Sequence, residues 1–214
     1  MNKHEYKAAL FDLDGVVFDT EPQYTEFWGR QGKEFHPEMP DFAQRIKGQT
    51  LTQIYEGYFS GKLVCVRDRI TARLDRFERQ MDFQYVNGFE DFVRSLRAQG
   101  IKTAVVTSSN KNKMRSVYDK HPEFIHYFDA ILTSEDFAYS KPDPDCYLKA
   151  AARFGLAPAD CMVFEDSFNG LRSGCAAGMT VIGLSTTNSP EAIQPLCSLV
   201  VPDYRQEELL NMFK

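Results

Sequence analysis

Four acids, two hydroxyls and one ammonium carry the chemistry this chain can be expected to do. Asp12 and Asp14 stand in Phe11-Asp12-Leu13-Asp14-Gly15-Val16, Thr107 and Ser108 in Thr107-Ser108-Ser109-Asn110, Lys141 before Pro142-Asp143-Pro144, and Glu165 and Asp166 before Ser167. Carboxylates repel one another when gathered, so a group of them needs a cation, and an all-oxygen donor set suits a hard ion such as Mg²⁺. One lysine and one hydroxyl at the edge of such a group make room for a phosphate. With its negative charge screened, a phosphate ester becomes open to attack by a carboxylate, and an aspartyl-phosphate can form. Each piece also has a plainer reading. Asp-Gly is ordinary turn chemistry, Thr-Ser-Ser suits a helix N-cap, Lys141 before Pro142 suits a solvated loop, and Glu165-Asp166 suits a helix start.

What joins the pieces is the elements that end in them. Short apolar runs rich in β-branched residues occupy 8–11, 101–106, 130–132, 162–164, 181–184 and 199–201. Helix-like stretches lie between them: 89–99 closed by Gly100, 112–119, 144–154 closed by Gly155, and 167–177 closed by Gly178. Glycine just past the last periodic residue is a helix stop. Strand and helix in alternation, with short connections, predict a doubly wound parallel α/β sheet. In such a sheet the working site lies beyond the carboxyl ends of the strands, where the four motifs fall.

The stretch 21–85 breaks the alternation: it is mostly helical, with Tyr24, Phe27 and Trp28 early, Tyr55, Tyr58 and Phe59 later, and a charged segment over 67–81. The spacing of those aromatics predicts a small apolar core of their own. The expected organisation is therefore a core of 1–20 and 86–214 interrupted by a helical insert, with connections near Thr20 and Asn87-Gly88 that allow a hinge.

Composition sets limits on partners. The chain has 214 residues, 25 Lys+Arg against 30 Asp+Glu, a net charge of −5, and 43% hydrophobic residues. That balance argues for a folded protein and against nucleic acid or an anionic membrane as the principal partner. No run approaches the ~18 apolar residues of a membrane span. Asp12 and Asp14 cut the first apolar run, so no secretory segment is expected. Cys65, Cys146, Cys161, Cys175 and Cys197 form no CxxC pair, which fits neither a zinc site nor a disulfide framework; they read as reduced packing residues in the cytoplasm. His4, His36, His121 and His126 accompany no Gly-x-Ser-x-Gly elbow, so a Ser-His-Asp hydrolase has no support.

As a set, Asp12-x-Asp14, Thr107, Lys141 and Glu165-Asp166 resemble the haloacid dehalogenase-like phosphotransferases, in that family's order, over 8–184. The resemblance implies that Asp12 is the nucleophile and a Mg²⁺ ligand. Asp14 would protonate the leaving oxygen, later activate water, and offer its backbone carbonyl to the metal. Asp166 would bind the ion directly, and Glu165 directly or through water. Thr107, Lys141 and the amide of Ser108 would hold the transferred phosphoryl group. A second acid two residues after the nucleophile points to phosphate esters, because dehalogenases lack it and phosphonate-cleaving members usually replace it.

The run from Phe11 to Glu21, Ser140-Lys141-Pro142-Asp143-Pro144 and Glu165-Asp166-Ser167-x-Asn169-Gly170 are similar to the β-phosphoglucomutase-like branch, with 21–85 as its helical cap. Mutases of that branch carry a histidine in the first cap helix and an arginine after a cap-loop glycine. Tyr24 and Leu51 stand there in this chain, so hydrolysis of a sugar phosphate is expected ahead of phosphoryl transfer between sugar hydroxyls. Tyr24 is expected to face the substrate, while Lys47-Gly48-Gln49-Thr50 and Arg73 are candidates to read a sugar or a second phosphate. Phosphorylation-receiver modules share a phosphorylatable Asp, Thr and Lys, but their acidic pair precedes that Asp and they lack the insert. A relative that only binds a phosphorylated ligand is the third reading. The implied partner is a small phosphorylated metabolite, with no protein partner evident.

Overall fold

The computed structural model describes residues 5–213, so His4 lies outside the described residues. Six strands form one sheet: β1 (Ala8–Phe11), β2 (Lys102–Val106), β3 (Ala130–Leu132), β4 (Cys161–Glu165), β5 (Thr180–Leu184) and β6 (Leu199–Val201). Their order is β3-β2-β1-β4-β5-β6, and every neighbouring pair is parallel. A parallel sheet covered on both faces favours apolar residues along its strands, which is why most strand positions read as hydrophobic runs. Side chains alternate between the faces. Ala9, Phe11, Val105, Met162 and Phe164 pack with Phe89 and Phe92 on one side. Ala8, Leu10, Ala104 and Val163 pack with Tyr147 and Ala150 on the other.

Between β1 and β2 come α1 (Glu21–Phe35), α2 (Phe42–Arg45), α3 (Leu51–Tyr58) and α4 (Arg67–Gln80), followed by α5 (Phe89–Ala98) against the sheet. The rest of the chain adds α6 (Lys111–Lys120), α7 (Asp145–Arg153), α8 (Phe168–Ala176), α9 (Pro190–Ile193) and α10 (Glu207–Met212). Gly100, Gly155 and Gly178, the three expected stops, follow α5, α7 and α8 with φ of 80°, 65° and 73°. Helices α1 to α4 gather Phe27, Trp28, Phe42, Ile54, Phe59 and Ile70 into a separate apolar cluster. A capping box starts α3: the Gln53 amide donates to Thr50 Oγ1 at 3.2 Å, and the Thr50 amide to Gln53 Oε1 at 2.8 Å. Met81 and Phe83 pack with Phe18 in the sheet-side cluster, and Tyr24 and Phe77 touch both clusters.

The five cysteines are free thiols. Cys146 and Cys161 are buried, whereas Cys65 and Cys175 are exposed, which corrects the expectation that all five are packing residues. Among the described residues no helix is long and apolar enough to cross a membrane.

Candidate active site

Strand register brings the acids together. Phe11 is paired with Val105 on one side and Phe164 on the other, so the residue after Phe11 lies beside the ends of β2 and β4. The Asp12 amide donates to the Phe164 carbonyl at 3.0 Å, and the Thr107 amide to Leu132 at 3.0 Å. Lys141 reaches this point from the loop after β3. Its Nζ donates to Asp12 Oδ1 at 2.7 Å, Glu165 Oε1 at 2.6 Å and the Val106 carbonyl at 3.0 Å.

Glu165 is fully enclosed, and both its oxygens accept from the protein. Oε1 also takes the Tyr147 hydroxyl at 2.8 Å; Oε2 takes the Asp166 amide at 3.1 Å, the Ser167 amide at 3.3 Å and the Ser167 hydroxyl at 3.2 Å. Gly170, one turn into α8, presses on the same carboxylate, and a Cβ there would collide with it. Asp166 accepts from the Thr187 hydroxyl, and its carbonyl takes Asn188 Nδ2 at 2.9 Å. Gly15, with φ at 72°, lies so close to Asp166 that a Cβ would overlap the carboxylate and stand 2.9 Å from Thr187 Oγ1. Only glycine combines that left-handed turn with that approach.

Asp14 serves the other side of the site. Thr20 Oγ1 donates to its Oδ1 at 2.6 Å, Ser109 Oγ to its Oδ2 at 3.1 Å, and Lys113 Nζ pairs with Oδ2. Thr107 Oγ1 accepts the Ser109 amide at 3.0 Å and shapes the turn that delivers this hydroxyl. Asp12 and Asp14 are thus two residues apart in the chain but sit in different electrostatic surroundings.

Burial pushes the Asp12 carboxyl up to about 7, with Lys141 pulling the other way and Glu165 and Asp14 adding to the rise. Burial also drives Asp166 well above the usual carboxylate range, helped by the charges of Glu165 and Glu21. Burial opposes the charge of Lys141, yet Asp12 and Glu165 outweigh it and hold the ammonium well above its ordinary range. One ammonium does not balance these acids. Asp12, Glu165 and Asp166 each offer an oxygen, all within 4.8 Å of one another, and that hard-donor set is short of positive charge, which fits a hard divalent cation.

The acids open into a cavity of about 530 Å³ whose far wall is the α1–α4 insert. Thr107, Ser108, Lys141 and Asp166 line its floor; Tyr24, Lys47, Leu51 and Glu78 line its walls. The Tyr24 hydroxyl donates to Glu78 Oε1 at 2.8 Å. Lys47 Nζ donates to the Thr187 carbonyl at 3.3 Å, and Asn169 Nδ2 to the Gly48 carbonyl at 2.9 Å, tying the 47–50 loop to the sheet side. Burial pushes Glu21, at the start of α1, up to about 7; Asp14 adds to this, and Lys47 and Lys113 oppose it. Arg73 is not part of the cavity lining, and its guanidinium is held by Glu34 at 2.6 Å and Gln31 at 2.9 Å.

The haloacid dehalogenase-like hydrolase family model matches residues 6–178, and every residue of the four motifs lies inside that match. The chain belongs to the haloacid dehalogenase-like hydrolases. It is 32% identical over 185 residues to a bifunctional riboflavin kinase/FMN phosphatase of Arabidopsis thaliana, covering 83% of this chain and 46% of that one. The chain therefore spans about half the length of this relative. It is 27% identical over 195 residues to a validoxylamine A 7'-phosphate phosphatase of Streptomyces hygroscopicus subsp. limoneus, covering 88% and 90% of the two chains. In fold it is similar to a HAD hydrolase of family IA, variant 3, from Entamoeba histolytica, with a TM-score of 0.81, 23% identity and coverage of 97% and 99%.

Several groups at the site of this haloacid dehalogenase-like chain escape a motif reading. Lys113 lies on α6, is 3% exposed and holds Asp14. Its one sequence signal is a position three residues past the α6 N-cap Asn110, one turn beyond the Thr-Ser-Ser run. Glu78 comes from the insert, Tyr147 from α7 and Thr187 from the loop after β5, and none of them stands at a motif position; Glu21 closes the Phe11–Glu21 run, which gave it no role.

Proposed function

We propose that this chain is a Mg²⁺-dependent phosphohydrolase of small phosphomonoesters, sugar phosphates foremost, working through an aspartyl-phosphate on Asp12, with 21–85 as its cap. The carrying observation is the division between Asp12, held beside Lys141 in the buried acid group, and Asp14, held by Thr20, Ser109 and Lys113 toward the insert. Two carboxylates in different surroundings can divide nucleophile and acid/base roles. Relatives named as phosphatases of FMN and of validoxylamine A 7'-phosphate support the reaction class.

Asp12, Asp166 and the Asp14 carbonyl would hold Mg²⁺, with Glu165 directly or through water. The ion supplies charge neutralisation for a phosphate beside an anionic nucleophile. An Asp12 oxygen forms the bond to phosphorus as the bond to the ester oxygen breaks, and Asp14 gives its proton to that leaving oxygen. Asp14 then takes a proton from water, whose oxygen bonds to phosphorus and releases Asp12 and inorganic phosphate. Lys141, the Thr107 hydroxyl and the Ser108 amide would hold the phosphoryl oxygens. Hydrolysis is the better-supported reading over mutase chemistry, because Arg73 is tied to Glu34 outside the cavity and Tyr24 and Leu51 line it instead.

A panel of phosphate esters with Mg²⁺ tests the reaction, with multiple phosphates released per protein as the expected result. Asp12→Asn should lose at least about a thousandfold in kcat while retaining the wild-type circular dichroism spectrum, since the nucleophile is lost and its shape kept. Absence of turnover across the panel, or a wild-type rate in this variant, removes the reading.

A further inference from the structure

Every ammonium that reaches the cavity is already matched by a carboxylate. Lys141 is held by Asp12 and Glu165. Lys113 pairs with Asp14, and its Nζ lies 4.7 Å from the centre of the Tyr24 ring. Lys47 Nζ stands 3.9 Å from Glu21 Oε2. Among the described residues no arginine or histidine lines the cavity.

The insert side of the cavity carries carboxylates of its own. Glu78, 8% exposed, sits on the inner face of α4 with its Oε1 taken by Tyr24, and Glu21 stands at the start of α1. Between and around them are Trp28, Ile46, Ile54 and Leu74. This is a surface of hydrogen-bond acceptors and apolar patches without free positive charge.

We propose that Glu78 and Glu21 make the leaving-group half of the cavity anion-rejecting, so that the substrate carries a single phosphate on an uncharged polyhydroxyl body. This deepens the phosphohydrolase reading and rests on it. Hydroxyls donate to carboxylates, and the C–H faces of a sugar or polyol lie against an indole or an aliphatic side chain at little desolvation cost. A second phosphate or a carboxylate on the same body would give up its water beside Glu78 and Glu21 with no unpaired cation to receive it. Like-charge juxtaposition of this kind is a way of discriminating against a wrong partner. Glu78 is a specificity-determining residue in this account, and the Tyr24 hydroxyl fixes its orientation.

The test compares kcat/KM at pH 8 with Mg²⁺ for hexose, pentose and polyol monophosphates against the bisphosphates of the same bodies, with p-nitrophenyl phosphate as a reference ester. At that pH Glu21, which burial pushes up to about 7, and Glu78, which burial also raises, carry their charges. In the wild-type protein each bisphosphate should be at least about tenfold poorer than the better of its monophosphates. Glu78→Gln keeps an oxygen for Tyr24 and removes the charge, and should narrow that ratio at least about threefold. Glu21→Gln reads the same ratio by an independent route should Glu78→Gln fail to give a native circular dichroism spectrum. Bisphosphates used as well as monophosphates by the wild type overturn the proposal, as does an unchanged ratio in the folded variants. Turnover of p-nitrophenyl phosphate with none of any polyhydroxyl monophosphate overturns it too. No turnover even of p-nitrophenyl phosphate removes the phosphohydrolase reading itself.

Discussion

Lys141 Nζ lies 2.6 Å from Glu165 Oε1, and the side chains are 5% and 0% exposed. This contact, shared with Asp12 at 2.7 Å, places the one ammonium of the acid group between two carboxylates, where it offsets part of the charge of each. Removing one member of a buried ion group leaves the others without compensation, at a cost of about 3–5 kcal/mol. Lys141→Met should therefore lower the melting temperature in EDTA and cut kcat/KM on the best phosphate ester by at least about a hundredfold. Millimolar Mg²⁺ should recover part of the lost melting temperature and none of the rate. An unchanged melting temperature in EDTA would show that Lys141 does not offset the charge of Asp12 and Glu165.

Gly170 and Gly57 are both helical glycines, and alanine is ordinarily the better helix residue by about 1 kcal/mol. At Gly57, in α3, a Cβ meets nothing within 4 Å, so Gly57→Ala should raise stability by about 0.5–1 kcal/mol. At Gly170 the Cβ would overlap the Glu165 carboxylate, which holds Lys141. Gly170→Ala should lower stability by about 1–3 kcal/mol and depress the phosphatase rate as well. Urea denaturation midpoints of the two variants should move in opposite directions; a stabilising Gly170→Ala would contradict this account of Glu165.

Metal uptake should depend on pH around neutrality. Burial raises Asp12 to about 7, against about 3.9 for an unfolded aspartate, so the folded chain without metal binds the extra proton. In EDTA the stability linked to this group is complete below about pH 4 and is lost as pH rises through about 7. Asp166 shifts in the same direction. Mg²⁺ competes with these protons, so its affinity should rise from pH 6 to pH 8 and its binding near pH 7 should release protons. Titration calorimetry in two buffers of different ionisation enthalpy measures that release. Equal heats in both buffers, with a pH-independent affinity, would contradict it.

The elements of the core were legible because the physics that makes them is local. A strand buried on both faces favours apolar residues, and a helix ending in a left-handed turn wants glycine, so the run at 8–11 and the stops at Gly100, Gly155 and Gly178 read directly from residue types. The strand expected over 101–106 begins instead at Lys102, and that expected over 162–164 extends through Cys161–Glu165. Glu165 is a strand residue in spite of its charge because Lys141, Tyr147 and Ser167 satisfy it from other elements, which no local pattern records. By itself the Thr-Ser-Ser run suits a helix N-cap, yet Asn110 caps α6 while Thr107, Ser108 and Ser109 line the cavity and Ser109 reaches Asp14.

From its residues alone the chain declares a parallel α/β sheet and the acids, hydroxyls and lysine that end its strands, because strand ends are ordered by chain topology and each motif lies within a few residues of one. Only the tertiary structure decides which groups oppose Asp14 and what the cavity will admit. Lys113, Glu21 and Glu78 sit on helix faces far apart in the chain, and their positions follow from how α1, α4 and α6 pack, a long-range outcome that residue spacing does not encode.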